Sequence, residues 1–130
     1  MLQKEQPNKK DKVFVLFLPN EEIHDIGLFY ANYEILLYGY KVIFLGQSLP
    51  MEDLDYLSKL FDNTVFVSYL TVKPENVEEY IHKFTNQICT SACCEYWLLG
   101  RKALELIDNK VKLPERVRAF RNINELTLNL

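Results

Sequence analysis

The residues with the clearest chemical potential lie in the segment from Glu22 to Gly27. His24 offers a neutral imidazole, which is a good ligand for a transition metal and can also act as a base. Glu22, two residues earlier, is placed to accept the second ring N–H, which would fix the tautomer and raise the basicity of the ring; Asp25 is a second candidate. Gly27 would let a ligand approach the backbone closely. Taken alone, the segment also fits a surface histidine near the start of a helix.

The elements that must position these residues are predicted from apolar periodicity. Runs typical of buried strands alternate five times with helical spacing, which indicates an α/β fold with a mostly parallel sheet. The crossover rule favours a flavodoxin-like (Rossmann-like) three-layer sandwich with five strands in the order 2-1-3-4-5. Strands are predicted at residues 13–18, 40–45, 64–70, 94–99 and 116–120. Helices are predicted at residues 23–38, 51–62, 74–88, 101–107 and 123–130.

The first predicted helix carries a stripe of large apolar side chains. We expect them to pack in the core, because apolar residues at helical spacing normally form the buried face. They are Ile26, Phe29, Tyr30, Tyr33, Leu36 and Leu37.

Ligands of open α/β sheets bind beyond the carboxyl ends of the strands. The segment Glu22 to Gly27 follows the first strand, and Gly46 and Gln47 follow the second. Ser68 offers a small hydroxyl at the end of the third strand, and Gly100 leaves room for a ligand after the fourth. The sequence therefore predicts one site at this edge of the sheet.

Two common functions of this fold do not fit these loops. A phospho-acceptor receiver needs an aspartate at the end of the third strand, where Ser68 stands. A flavodoxin needs a phosphate loop rich in Ser, Thr and Gly after the first strand, whereas the loop here is acidic and would repel a phosphate.

Composition predicts a single globular domain without a nucleic-acid footprint. The chain has 130 residues, is 48% apolar and has a net charge of −3. Residues 1–11, which contain most of a small lysine cluster, are predicted to be a flexible N-terminal tail or linker, and residues 12–130 the domain. No segment resembles a signal peptide or a membrane span, so we expect a cytoplasmic protein without a membrane partner. Cys89, Cys93 and Cys94 are predicted to be free thiols.

Three short motifs together resemble the signature of base-off, His-on cobalamin-binding domains. That signature is E/D-x-H-x-x-G, then S-x-L about forty residues on, then a pair of glycines after the fourth strand. Glu22-x-His24-x-x-Gly27 matches the first motif, and forty residues separate it from Ser68-Tyr69-Leu70. Gly100 matches the first glycine of the pair.

The likeness extends over residues 12–120 and includes the stretch Tyr40 to Pro50, which contains Gly46 and Gln47. It is strongest to the C-terminal domain of MerR-type transcriptional regulators that sense cobalamin, in which the acid of the first motif is often Glu. The resemblance implies a flavodoxin-like fold, a cobalamin cofactor in the adenosyl or methyl form, and self-association. DNA would be bound only through a helix-turn-helix upstream of this domain.

The resemblance also implies roles for individual residues. His24 would be the lower axial ligand of cobalt, supported by Glu22. Ser68 would hydrogen-bond the displaced dimethylbenzimidazole, and Leu70 would line its slot. Arg101 stands where the family has its second glycine; its side chain is either solvated or a contact to the phosphate of the nucleotide tail.

Three functions remain open from the sequence. The first is the cobalamin-binding sensory domain of a transcriptional regulator. The second is a cobalamin-carrying subunit of a mutase or methyltransferase. The third is a degenerate relative that serves only in oligomerisation. In none of them do we expect the chain to be an enzyme by itself, because it offers no acid–base constellation of its own.

Overall fold

The computed structural model describes residues 12–91 and 93–130. Its centre is a five-stranded, wholly parallel sheet in the order β2-β1-β3-β4-β5. This confirms the predicted flavodoxin-like fold class and strand order. The strands are β1 (Lys12–Pro19), β2 (Lys41–Leu49), β3 (Asn63–Tyr69), β4 (Cys94–Leu99) and β5 (Val117–Ala119).

Helices connect the strands and cover both faces of the sheet. A short 3-10 helix, Met51–Leu54, precedes α2. The α-helices are α1 (Ile26–Leu37), α2 (Leu57–Leu60), α3 (Val77–Gln87), α4 (Arg101–Asp108) and α5 (Ile123–Thr127). None of these described helices is long and apolar enough to cross a membrane.

The two faces of the sheet belong to two separate apolar clusters. Phe14, Leu16 and Leu18 point to the face covered by α1 and α5. Val15 and Phe17 point to the opposite face, against α3 and α4. Successive side chains of a strand alternate between faces, so a strand buried on both sides must be apolar throughout. This is why β1 reads as an uninterrupted apolar run.

Several predicted boundaries shift where local hydrogen bonds compete with the helix. The first helix begins at Ile26 rather than at residue 23, because Glu21 has a left-handed φ of 72° and Glu22 is held in the loop by its side chain. The third helix begins at Val77, where the Asn76 side chain accepts a hydrogen bond from the Glu79 N–H and acts as the N-cap. The second predicted helix is split into the 3-10 segment and the short α2.

The prediction for the apolar residues of the first helix was wrong. The side chains of α1 that face the sheet are Leu28, Ala31 and Ile35, which are smaller on average than the aromatic residues beside them. The predicted core residues lie instead on the outer side and one flank of the helix and are exposed, namely Ile26, Phe29, Tyr30, Tyr33, Leu36 and Leu37.

The prediction of three free thiols was also wrong. Cys89 and Cys94 form a disulfide, and Cys93 is the exposed free cysteine among the described residues. The chain folds back between α3 and β4, which brings the two Cα atoms within 5.2 Å, a separation that suits a disulfide. Sequence separation alone gave no sign of this turn. The predicted tail, residues 1–11, lies outside the described residues, so the predicted domain division stays a prediction.

Candidate functional site

The carboxylate of Glu22 is the centre of the loop that follows β1. The side chain is fully buried, and its Oε1 accepts hydrogen bonds from the backbone N–H groups of Thr71, Val72 and Lys73 at 3.2, 2.7 and 2.8 Å. Its Oε2 accepts the His24 backbone N–H at 3.0 Å. Burial raises the pKa of Glu22, but these donors and the His24 ring outweigh burial and lower the pKa to about 2. Glu22 is therefore an anion that ties β1 to the segment after β3.

His24 contacts that anion through one ring nitrogen. Its Nδ1 lies 2.7 Å from Glu22 Oε2, while 55% of the side chain is exposed. An ionised carboxylate can only accept, so the neutral imidazole donates its N–H from Nδ1. The lone pair of that tautomer is on Nε2, the ring nitrogen that a metal would use. The predicted contact between the two side chains is thus present, and it prepares His24 as a ligand.

A cavity of about 790 Å³ opens beside His24. Its walls come from residues 23–27 and Tyr30 at the start of α1, from Tyr69 at the end of β3 and Thr71 after it, and from residues 121–124 at the start of α5. It therefore lies at the carboxyl edge of the sheet, on the side covered by α1 and α5. The volume falls within the range of small-molecule and cofactor sites.

Gly27 and Tyr69 meet in the wall of this cavity. A Cβ atom added to Gly27 would lie 2.5 Å from the Tyr69 ring, so no larger residue fits there without moving the ring. The packing of Tyr69 against this position therefore explains why the predicted motif has a glycine there. Tyr69 was missed as a site residue from the sequence, although it stands between Ser68 and Leu70.

Ser68 and Leu70 do not line the cavity. Both are fully buried on the opposite face of the sheet. The Ser68 Oγ donates to the Phe17 carbonyl at 2.9 Å and accepts from the Tyr96 hydroxyl at 3.0 Å. Burial raises the pKa of Tyr96, so its phenol keeps the proton that it donates. The alternation of side chains along β3 turns Tyr69, not its two neighbours, towards the cavity.

Gly100 and Arg101 lie at the end of β4, also away from the cavity wall. Gly100 has a φ of +99°, and a Cβ atom there would lie 2.5 Å from the Leu70 carbonyl oxygen. Leu70 donates its N–H to the Leu99 carbonyl at 2.8 Å and accepts from the Lys102 N–H at 3.0 Å. Gly100 thus lets the two strand ends pack closely. Arg101 begins α4 with an exposed side chain.

Gly46 and Gln47 support the loop after β1 from the other side. Gly46 has a φ of +89° at a register shift between β1 and β2. The Gln47 side chain donates to Asp25 Oδ2 at 3.2 Å, and the Ser48 N–H donates to the Glu22 carbonyl at 3.2 Å. Asp25, the second candidate partner of His24, is therefore engaged with Gln47. No group of three or more His, Cys, Asp or Glu side chains in the described ranges is placed to hold a metal ion.

Comparison with known proteins adds evidence on the fold. No protein-family model and no curated protein sequence matches the chain. Several solved structures are similar. One is the monomethylamine corrinoid protein of Methanosarcina barkeri, with a TM-score of 0.71 and 14% identity. Another is a cobalamin-binding protein of Desulfitobacterium hafniense DCB-2, with a TM-score of 0.62 and 17% identity. Each alignment covers 93% of this chain but only 57% and 58% of those chains. The chain thus shares their fold and spans little more than half of their length.

Proposed function

We propose that this chain binds cobalamin in the base-off form, with His24 Nε2 as the lower axial ligand of cobalt. The observation that carries the proposal is the contact of His24 Nδ1 with the buried Glu22 anion, which leaves Nε2 as the free ligand atom. A metal held in a corrin ring needs a single axial ligand from the protein, and His24 supplies one. The two similar proteins named above are a corrinoid protein and a cobalamin-binding protein, which supports the same cofactor here.

The residues around the cavity fit a group of this kind. His24 would hold the cobalt, and Gly27, Tyr69 and residues 121–124 would surround the part of the cofactor that enters the cavity. The bound cofactor would supply a cobalt–carbon bond that can be cleaved. The chain itself orients the imidazole, because Glu22 keeps a proton on Nδ1 and so keeps Nε2 free.

Our first proposal for the biological role is a sensory domain of a MerR-type transcriptional regulator. It rests on the E-x-H-x-x-G motif of Glu22 to Gly27. On this proposal the chain works in the cytoplasm, is not an enzyme and acts on DNA through a helix-turn-helix elsewhere in the parent protein. A helix-turn-helix encoded upstream in the same reading frame would support this role.

The second proposal is a cobalamin-carrying subunit of a methyltransferase or mutase. The likeness to a monomethylamine corrinoid protein favours it. A carrier needs a separate substrate-binding enzyme, so co-purification of the chain with such a partner from its own host would support this role. The absence of any such partner, together with an encoded helix-turn-helix, would exclude it.

The cofactor proposal is tested with hydroxocobalamin. The purified chain is mixed with it, passed over a desalting column and examined by visible absorption spectroscopy. We expect the protein to keep a spectrum of histidine-ligated cobalamin, and His24→Ala to lose that ligation and bind at least about tenfold more weakly. His82→Ala is the matched control, because His82 is the other histidine of the chain and is exposed on α3.

The outcomes are distinct. A colourless wild-type protein would overturn cobalamin binding and leave only a role in assembly. A retained spectrum that is the same in wild type and His24→Ala would show that the cofactor binds but that His24 is not its ligand.

A further inference from the structure

Ser68 and Leu70, which the resemblance assigns to the nucleotide base of the cofactor, are both committed to the core. A serine hydroxyl has one hydrogen to donate, and Ser68 donates it to the Phe17 carbonyl at 2.9 Å. The Tyr96 hydroxyl donates to the same serine oxygen at 3.0 Å. Both Ser68 and Leu70 are fully buried on the face of the sheet away from the cavity. Ser68 therefore has no hydrogen left for a ring nitrogen of the base, and Leu70 has no open surface to offer it.

Tyr69 is the residue of the same motif that lines the cavity. Its half-buried ring lies against Gly27, where an added Cβ atom would be 2.5 Å from the ring. This contact holds the ring in place in the cavity wall. A flat aromatic base stacks well on an aromatic side chain that is held in this way.

The other walls of the cavity also suit a flat apolar group. Besides Tyr69, four apolar or aromatic side chains line it, namely Ile23, Ile26, Tyr30 and Ile123. Two of its charged side chains already have partners in the chain, because Asp25 accepts a hydrogen bond from Gln47 and Arg121 donates one to Asp108. Binding in this cavity therefore rests mainly on contact with apolar and aromatic surface.

We propose that Tyr69, and not Ser68, determines which lower base the chain accepts, because the base stacks on the Tyr69 ring in the cavity. The inference rests on the proposed function, since it concerns the same cofactor. A hydrogen bond from Ser68 to a ring nitrogen would favour bases that carry such a nitrogen, whereas stacking requires only a flat ring. The ligand class is therefore cobamides with any flat aromatic lower base, including phenolic bases that have no ring nitrogen.

The test compares two corrinoids in their aquo forms, neither of which carries a base that can coordinate cobalt. Cobinamide lacks the nucleotide tail, and p-cresolylcobamide has a tail whose base contains no ring nitrogen. Titration of the full chain, followed by visible absorption, gives the Kd of each. We expect wild type to bind p-cresolylcobamide at least about tenfold more tightly than cobinamide, because only the former can stack on Tyr69.

Variants assign this preference to a residue. Tyr69→Ala should bring the two Kd values close together, whereas Tyr69→Phe, which keeps the ring, should retain the difference. Ser68→Ala should retain it as well and should leave the Kd of hydroxocobalamin unchanged. Tyr56→Ala is the matched control, because Tyr56 is exposed and does not line the cavity.

Circular dichroism shows which variants keep the wild-type fold. Tyr69→Leu replaces Tyr69→Ala if the latter does not fold, because leucine keeps an apolar contact with Gly27 without the aromatic ring. Equal wild-type affinities for the two corrinoids would overturn the inference and leave the cobalamin proposal standing. A preference that is lost in Ser68→Ala but kept in Tyr69→Ala would also overturn it. Failure of the wild type to bind any of these corrinoids would overturn the proposed function and this inference with it.

Discussion

At the residue scale, the Glu22 carboxylate bonds to several groups besides its neighbour His24. One carboxylate oxygen holds three consecutive N–H groups after β3, and the other holds the backbone and ring of His24. Local spacing predicted the contact with the ring, because the two residues are two positions apart. The contacts to residues 71–73 join segments about fifty positions apart, and only the fold brings these together.

The low pKa of Glu22 makes the stability of the chain depend on pH in a defined direction. The folded protein keeps the carboxylate ionised down to about pH 2, whereas the unfolded chain takes up the proton near the ordinary pKa of 4.5. The stabilisation is therefore present above pH 4.5 and is lost as the pH falls towards 2. Urea unfolding of the wild type should show a free energy of unfolding that decreases as the pH is lowered from 4.5 towards 2.

Substitution isolates this contribution. We expect Glu22→Gln to lower the free energy of unfolding at neutral pH by about 2 kcal/mol or more, because the charged hydrogen bonds of the buried carboxylate to the N–H groups of residues 71–73 are lost, and to flatten the pH dependence below 4.5. Glu21→Gln is the control, since Glu21 is exposed. An equal loss in both variants would contradict the role given to Glu22.

Gly100 gives a second prediction at this scale. We expect Gly100→Ala to destabilise the chain by roughly 2 kcal/mol or more, because a left-handed φ is combined with a Cβ atom 2.5 Å from the Leu70 carbonyl oxygen. Gly46→Ala is the matched control: its φ is also positive, but its nearest neighbour, in Phe44, is 3.9 Å away. Thermal unfolding of both variants should show the larger loss for Gly100→Ala, and a reversed order would count against the close packing of the two strand ends.

At the element scale, alternation along β3 decides which part of the Ser68-Tyr69-Leu70 motif reaches the cavity. The motif directed attention to Ser68 and Leu70, but they share one face of the strand, and α1 lies over the other. Counting by twos from the apolar residues of β3 groups Tyr69 with Val65 and Val67, beneath α1. What the sequence could not supply was which face of the sheet carries the open cavity.

The link between α3 and β4 carries a prediction of its own. In unfolded, unreduced chain we expect one reactive thiol, from Cys93, because Cys89 and Cys94 are bonded to each other. Reduction should raise the count to three. Titration with a thiol reagent in denaturant measures this, with Cys93→Ser as the control that should give none before reduction. Three reactive thiols before reduction would show that all of the cysteines are free, as expected from the sequence, and would contradict the disulfide.

At the scale of the whole molecule, the strand order was predictable because the alternation of apolar runs and helices leaves few arrangements. β1 and β3 are buried along nearly their whole length, as expected for strands in the middle of a parallel sheet. The outer side of α1 was not predictable in the same way. Large apolar residues at helical spacing pointed to the core, but the smaller Leu28, Ala31 and Ile35 occupy the face towards the sheet and leave the larger side chains exposed.

The register shifts at the edge of the sheet have a consequence for aggregation. β2 is nine residues long and, among the described strands, pairs only with β1, so its far side is a row of backbone donors and acceptors open to strand addition. Gly46 and Ser48 both have positive φ, which interrupts the regular spacing of that row near its carboxyl end. An incoming strand would find only the first half of β2 in regular register. The chain thereby resists growth into extended sheets.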